Sequence, residues 1–157
     1  MATIALEPIT AEAFAPFGQL LSLGHDQPRL ELMKELHNGR DGAKPRLSVV
    51  EIGPAEFPLV ATEMERHRFS SQTFIPCHCE SYMVMVAKHG GDDLPDIATL
   101  RAFRVPAHQG INYHADTWHY PITACGQPAR FVVLTFIDGT QTDEQFVALG
   151  EAITIAE

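Results

Sequence analysis

Residues 63–76 read Glu63-Met64-Glu65-Arg66-His67-Arg68-Phe69-Ser70-Ser71-Gln72-Thr73-Phe74-Ile75-Pro76. Pro58 breaks the chain before this stretch and the apolar Leu59-Val60 leads into it, which favours a strand over Leu59–Arg68. Alternate residues of a strand share a face. Glu63, Glu65 and His67 then point one way, and Arg66 and Arg68 the other. Read as a helix, the same stretch makes Glu63 and His67 an i, i+4 pair. A solvated charged strand would account for a lone Glu-Arg-His. The spacing asks for more: Glu65-x-His67 sets two polar groups on one strand face, and Gln72 follows on the next strand. A barrel carrying such residues inward gathers them in its mouth.

The second dense stretch is Gly110-Ile111-Asn112-Tyr113-His114-Ala115-Asp116-Thr117-Trp118-His119-Tyr120-Pro121. It holds two histidines and the chain's one tryptophan. Imidazole acts as acid, base or metal ligand near neutral pH, and the flanking rings shape a pocket and lower its dielectric. Gly110 at the entrance marks a tight turn or a close backbone approach.

Elsewhere short apolar runs dominate. Ile4–Leu6, Arg46–Ile52, Gln72–Pro76 and Tyr82–Lys88 read as strands and Gln19–Leu23 as extended; Leu100–Val105, Tyr113–Ile122 and Phe131–Ile137 follow as strands bounded by Gly, Pro or Asp, and Phe146–Ile155 closes the chain. Thr10 caps a short helix that carries Phe14. Leu30–Leu36 is compatible with a helix, and Asn38-Gly39 is a hairpin turn signal. Many short strands with little helix predict a mainly β fold, a β-barrel or sandwich with a few short helices. No linker or repeat divides the chain, so residues 1–157 read as a single domain.

Composition sets bounds. The chain has 157 residues and a net charge of −9, with 20 acidic and 11 basic side chains. No run of Lys or Arg exists, which speaks against nucleic-acid binding. An acidic protein that binds a small anion must place a few arginines locally. Cys77, Cys79 and Cys125 are odd in number and poorly spaced for a disulfide framework, which favours a reducing compartment. A zinc site on Cys77 and Cys79 lacks four closed ligands. The N-terminus carries no readable signal peptide, and the longest apolar runs are too short to cross a bilayer. A soluble, cytoplasmic protein without membrane contact is expected. His25, His37, His78, His89 and His108 read as surface or turn residues, and Asp92, Asp93 and Asp96 as a solvated loop.

Glu65-x-His67-x4-Gln72 has the layout of the first cupin motif, His-x-His followed by Glu, and Gly110-x3-His114 fits the second. The segments Glu63–Pro76, Pro95–Phe103 and Gly110–Pro121, with Asn38-Gly39, resemble those of the ureidoglycolate lyase family over nearly the whole chain. The resemblance implies a cupin β-barrel, a homodimer, an associated nickel ion, and conversion of (S)-ureidoglycolate to glyoxylate and urea in allantoin breakdown. Cys77-His78-Cys79 departs from the family, standing where a small or Gly-containing turn is expected.

Such a substrate carries a hydroxyl, a carboxylate and a urea nitrogen on one carbon. A base must take the hydroxyl proton, and a proton must reach the departing nitrogen. Histidine suits this work, and His114, His119 and His67 are the expected catalytic residues, His114 foremost. Arg66 and Arg101 are the candidate carboxylate clamps. Gln72 and Asn112 are expected to hydrogen-bond the urea or hydroxyl, and Tyr113 and Trp118 to close the pocket. Glu65, His67 and His114 are the candidate ligands for Ni²⁺ or another divalent metal. Two other readings remain: a non-catalytic cupin that binds a small carboxylate, and a different metal-dependent cupin enzyme. For a homodimer, the apolar terminal strands Ile4–Leu6 and Ala152–Ile155 are the expected contact.

Overall fold

The structure, a computed structural model, describes residues 2–24 and 26–157; the reading of His25 lies outside them. The order is β1 (Ala2–Pro8), α1 (Ala11–Phe14), β2 (Gly18–Ser22), β3 (Lys44–Ile52), β4 (Pro54–Ala55), β5 (Leu59–His67), β6 (Gln72–His78) and β7 (Ser81–Ala87). A single 3-10 turn (Ile97–Thr99) leads into β8 (Arg101–Pro106), β9 (Gln109–Tyr113), β10 (Trp118–His119), β11 (Thr123–Cys125), β12 (Ala129–Ile137) and β13 (Glu144–Ala156). This is the mainly β, cupin-like architecture expected, with the short helix capped by Thr10, whose side chain accepts from Ala13 N–H.

The strands form two sheets. In the first, β10-β5-β13-β1-β8-β7 run side by side, and β10 pairs again with β7, closing a six-stranded ring. The second is open, in the order β2-β9-β6-β12-β3. Strand β7 is buried on both faces and alternates between two cores. Met83, Met85 and Ala87 fill the ring with Met64, Ala102 and Trp118. Tyr82, Val84 and Val86 face the second sheet, where they meet Phe74, Ile111, Phe131 and Val133. Strands covered on both faces read as unbroken apolar runs, which is why Tyr82–Lys88 stands out in the sequence.

Several expectations need correction. The strand expected over Tyr113–Ile122 is broken: Tyr113 ends β9, Asp116 turns the chain at φ 68°, and only Trp118–His119 pair before Pro121. A left-handed residue and a proline that lacks an N–H prevent one continuous ladder. Leu30–Leu36 is neither helix nor strand and lies over the outer face of the second sheet, against Leu21, Leu47 and Ile75. Asn38-Gly39 makes no hairpin turn, since that turn needs positive φ at both residues and neither has it. Asn38 instead bridges Ser70, and Gly39 N–H donates to the Phe69 carbonyl at 2.7 Å.

The terminal strands are not free edges. β1 lies between β13 and β8, and β13 between β1 and β5. At the departure Cys77-His78-Cys79 the chain crosses from the second sheet to the first. Cys79 packs against the core there, and burial, helped by Cys125 and Glu80, pushes its thiol up to about 11. The protonated thiol is a poor metal ligand. All three cysteines are free. No described helix is long and apolar enough to cross a membrane.

Candidate active site

The strand reading of residues 59–67 holds, and the alternation of β5 separates its charged residues. Glu65 and His67 face the space between the two sheets, while Met64 and Arg66 face the core of the ring. β10 adds to both sides. Its register pairs His119 with Glu65, and it sends Trp118 into the ring core and His119 toward the second sheet. From the second sheet come Gln72 on β6 and Tyr113 on β9, which are register partners. The Tyr113 and His119 rings stack with centroids 4.3 Å apart, and those of His67 and His119 at 6.0 Å.

These five residues leave unmet polar atoms. Tyr113 OH, Gln72 Oε1 and His119 Nε2 are buried without a hydrogen-bond partner. His119 Nδ1–H donates to the Thr117 carbonyl at 2.8 Å, so in the neutral ring Nε2 carries the lone pair. Nε2 lies 3.3 Å from Glu65 Oε1, close enough for an ion pair but poorly aligned for a hydrogen bond. Buried polar groups are usually satisfied, and a cluster of exceptions marks a place where something else binds.

The electrostatics follow from burial and neighbours. Burial depresses the His67 pKa below 6.5, and the charge of His119 adds to this against the opposing pull of Asp143, Glu65 and Glu144. His67 is therefore a neutral base at pH 7. Burial alone would raise the Glu65 carboxyl, but contact with His119 and the charges of His119 and His67 outweigh it and hold it below 4.5. Burial and the Glu65 charge keep Tyr113 a phenol.

Behind His67 stands a residue that sequence reading missed. Asp143 is buried, with Oδ2 3.5 Å from His67 Nδ1. Its carboxylate also accepts from Phe69 N–H at 2.7 Å, from the Ser70 hydroxyl, and from Arg40 at 3.2 Å. In the sequence it closes a polar loop, Asp138–Asp143, that reads only as a turn; its partners, the last residue of β5 and the loops around Arg40 and Phe69, are roughly 70 to 100 positions away.

Other expected site residues lie elsewhere. His114 Nε2–H donates to the Ala15 carbonyl at 3.2 Å, and its Nδ1 accepts from Gln19 at 3.1 Å. His119, not His114, joins Glu65 and His67. Asn112 faces the outer side of the second sheet, accepting from Thr73 and donating to Gln19 and the Glu35 carbonyl. Arg66 is bidentate to Asp93, pairs with Asp116 at 3.0 Å, and stacks 4.4 Å over the Trp118 ring. Arg101 pairs with Glu7 through two hydrogen bonds. Arg66 is buried among its carboxylate partners, and Arg101, in an exposed pair on the wall of another groove, lies away from the cluster.

Two clusters bear on metal binding. Glu65, His67 and His119 supply nitrogen and oxygen donors of the kind that divalent transition metals take, and a ligating histidine commonly donates its other N–H to a carbonyl, as His119 does. The bare Nε2 and the orphaned Gln72 oxygen fit such an ion. The second cluster brings together residues that are exposed, as the surface and loop readings of His89 and Asp93 expect: their ligand atoms and that of Asp116 all lie within 4.8 Å of one another. Arg66 already places a cation there, at 2.8 Å from Asp93 and 3.0 Å from Asp116.

A cavity of about 130 Å³ opens beside His67, walled by Arg40, Arg46, Thr135, Asp143 and Glu144 among others. Liquid water takes about 30 Å³ per molecule, so this is room for roughly four waters, or for part of a small metabolite. A larger groove of about 580 Å³ runs past Lys88 and Arg101 but touches none of the five clustered residues. The chemistry, not the volume, selects the smaller cavity.

Fold and cluster together define a cupin-like protein with a histidine–carboxylate site between its sheets. The family model for ureidoglycolate lyase matches residues 1–156. The chain is 34% identical over 161 aligned positions to a ureidoglycolate lyase of Burkholderia mallei (strain NCTC 10229), covering 92% of this chain and 89% of the relative. It is 32% identical over 156 positions to one of Pseudomonas entomophila (strain L48), covering 93% and 92%. The chain belongs to the ureidoglycolate lyase family. Among solved structures it is similar to an oxalate decarboxylase of Lactobacillus farciminis in complex with formate, with a TM-score of 0.44 and 16% identity over 92% of this chain. The chain spans about a third of that structure's length, 33%.

The direction of the His67 shift sets a pH dependence. The unfolded chain holds this proton more readily than the folded one, so stability at this position is full above 6.5, falls as pH drops through 6.5, and levels off below the folded pKa. NMR titration should place the His67 midpoint below 6.5, and Asp143→Asn, which deletes a charge favouring protonation, should lower it further. A midpoint at or above 6.5 contradicts the burial argument.

Proposed function

We propose that the protein is a lyase that cleaves ureidoglycolate to glyoxylate and urea, with Glu65, His67, Gln72, Tyr113 and His119 around the reacting carbon. The observation that carries this reading is the trio of buried, unpartnered atoms, His119 Nε2, Gln72 Oε1 and Tyr113 OH, beside a histidine that burial keeps neutral. Family membership favours it over a non-catalytic binder or another metal-dependent cupin enzyme.

His67, backed by Asp143, accepts the proton of the substrate hydroxyl. The oxygen's electron pair becomes the glyoxylate carbonyl, the carbon–nitrogen bond breaks, and its pair goes to the urea nitrogen. His67 returns that proton to the departing nitrogen, and His119 Nε2, beside Glu65, accepts a hydrogen bond from a urea N–H. Proton transfer from a placed side chain contributes typically 10²–10⁴-fold. Tyr113 O–H donates to the urea carbonyl and Gln72 Oε1 accepts from a urea N–H. With a divalent cation bound, nickel by family resemblance, Glu65, His67 and His119 would hold it in place of these proton transfers, and it would polarise the hydroxyl oxygen.

Ureidoglycolate given to the purified protein should yield glyoxylate and urea, and release of ammonia in place of urea would sink the assignment. His67→Ala and His119→Ala should each lose roughly 10²–10⁴-fold in turnover, and His114→Ala far less. A larger loss at His114 would move the chemistry out of the sheet interior. Elemental analysis of untagged protein should find near-stoichiometric divalent metal, lost in Glu65→Ala; full activity after exhaustive chelation would leave the cluster as substrate contacts alone.

The protein is further read as a cytoplasmic homodimer that binds neither nucleic acid nor membranes. The three free thiols support a reducing compartment. The outer face of the second sheet supports the dimer: edge strand β3 pairs only with β12 and exposes Leu47 and Val49, both more than 70% accessible. Two-fold pairing of one patch with its copy is the commonest way to cover such a surface. Light scattering should give ~35 kDa, two copies of the 17.3 kDa chain. The double change Leu47→Glu with Val49→Glu should halve it. A wild-type mass of one chain would exclude the dimer.

A further inference from the structure

The ureidoglycolate reading leaves the substrate's carboxylate without a counter-charge, because neither expected arginine is at the site. Six of the eight described arginines are held by carboxylates. Arg29 pairs with Glu31, Arg40 with Asp138 and Asp143, Arg66 with Asp93 and Asp116, Arg101 with Glu7, Arg104 with Glu157, and Arg130 with Glu51. Two remain without a carboxylate partner. Arg68 lies over the ring of Phe69, and Arg46 stands on the wall of the cavity beside His67. None of the lysines lines that cavity.

We infer that Arg46 is the residue that binds the substrate carboxylate. Its backbone position supports this. On β3 the exposed Leu47 and Val49 point to the outer face, so Arg46 alternates to the inner one, at the end of the sheet where the space between the sheets opens. Its cross-strand partner is Thr135, and its Nε–H donates to the Thr135 hydroxyl at 3.2 Å. That bond holds the planar head from one side and leaves the two terminal nitrogens for a forked contact with a carboxylate. A second unmade bond sits on the same wall. Arg40 Nε is buried without an acceptor, although the rest of that guanidinium is matched by Asp138, Asp143 and the Phe136 carbonyl. Glu144 also lines the cavity, and it and Arg46 are both exposed at its mouth. The charge on the substrate therefore meets a free guanidinium within the cavity that holds the base. Arg46 determines specificity for an anionic substrate and takes no part in the proton transfers.

This rests on the ureidoglycolate reading, and its test separates the two. The carboxylate does not change during cleavage, so a group that binds it contributes equally to ground and transition states. Arg46→Ala should raise KM for ureidoglycolate roughly 10–100-fold with kcat within a few-fold, and should weaken competitive inhibition by glyoxylate in parallel. Arg46→Lys, which keeps the charge and loses the fork, should fall between. The uncharged carboxamide analogue of the substrate should show the same kcat/KM in wild type and Arg46→Ala. Arg68→Ala, the control at the other unpaired arginine, should leave KM unchanged. An active wild type whose KM is unmoved by Arg46→Ala, or moved only by Arg68→Ala, overturns the clamp and leaves the lyase standing. A wild type inactive on ureidoglycolate overturns the lyase reading itself.

Discussion

The two-residue strand Trp118–His119 is the constraint on which the architecture turns. It pairs with β5 on one side and β7 on the other, and so closes the six-stranded ring. Because adjacent residues of a strand face opposite ways, it commits one side chain to each core. Trp118 enters the ring and lies under the Arg66 guanidinium, while His119 enters the space between the sheets and stacks on Tyr113. β5 obeys the same alternation, with Arg66 on the ring side and Glu65 and His67 on the site side. Arg66, its partners Asp93 and Asp116, and Trp118 thus form a rigid backing one residue behind the chemistry. A buried guanidinium matched by two carboxylates holds the 88–96 and 114–117 loops against the ring. A one-residue slip of β10 would exchange tryptophan for histidine on both faces at once.

Electrostatic matching divides the arginines by role. In a chain of charge −9, cations are scarce, and nearly every described guanidinium is held by a carboxylate. This leaves little positive charge on general offer, so anion binding has to be local. The cavity beside His67 is where the remaining charge, the neutral base and the buried Asp143 meet. Asp143 links them: one carboxylate orients His67, holds Arg40, and fixes the backbone at Phe69 and Ser70 where β5 ends. The cluster is thereby tied to the end of β5 and the start of β13, at the rim of the sandwich.

The 63–76 and 110–121 segments made much of this legible in advance. Periodicity of two told which residues of β5 share a face, and the run at 82–87 announced the strand buried on both sides. Glu65, His67, Gln72, Tyr113 and His119 were all named from residue type and spacing, and the structure gathers them. The same reading could not tell His114 from His119. Both lie in one short polar-aromatic stretch, and the choice depends on the left-handed turn at Asp116, which resets the alternation between β9 and β10. Asn112 and Trp118 face away from the cluster for a related reason: their strands are covered on both faces, so a buried polar or aromatic side chain need not face the cavity.

Sequence by itself determined what local chemistry can encode: the strand pattern, the absence of basic runs, the family motifs and the inventory of groups able to move a proton. Which arginine is free was decided only by the tertiary structure. A guanidinium's availability depends on whether a carboxylate from a distant strand lies within a few ångströms, and that distance is fixed by sheet pairing across the chain. Arg66 sits beside His67 in sequence and is consumed by Asp93 and Asp116. Arg46, 21 positions away, reaches the same cavity unpaired.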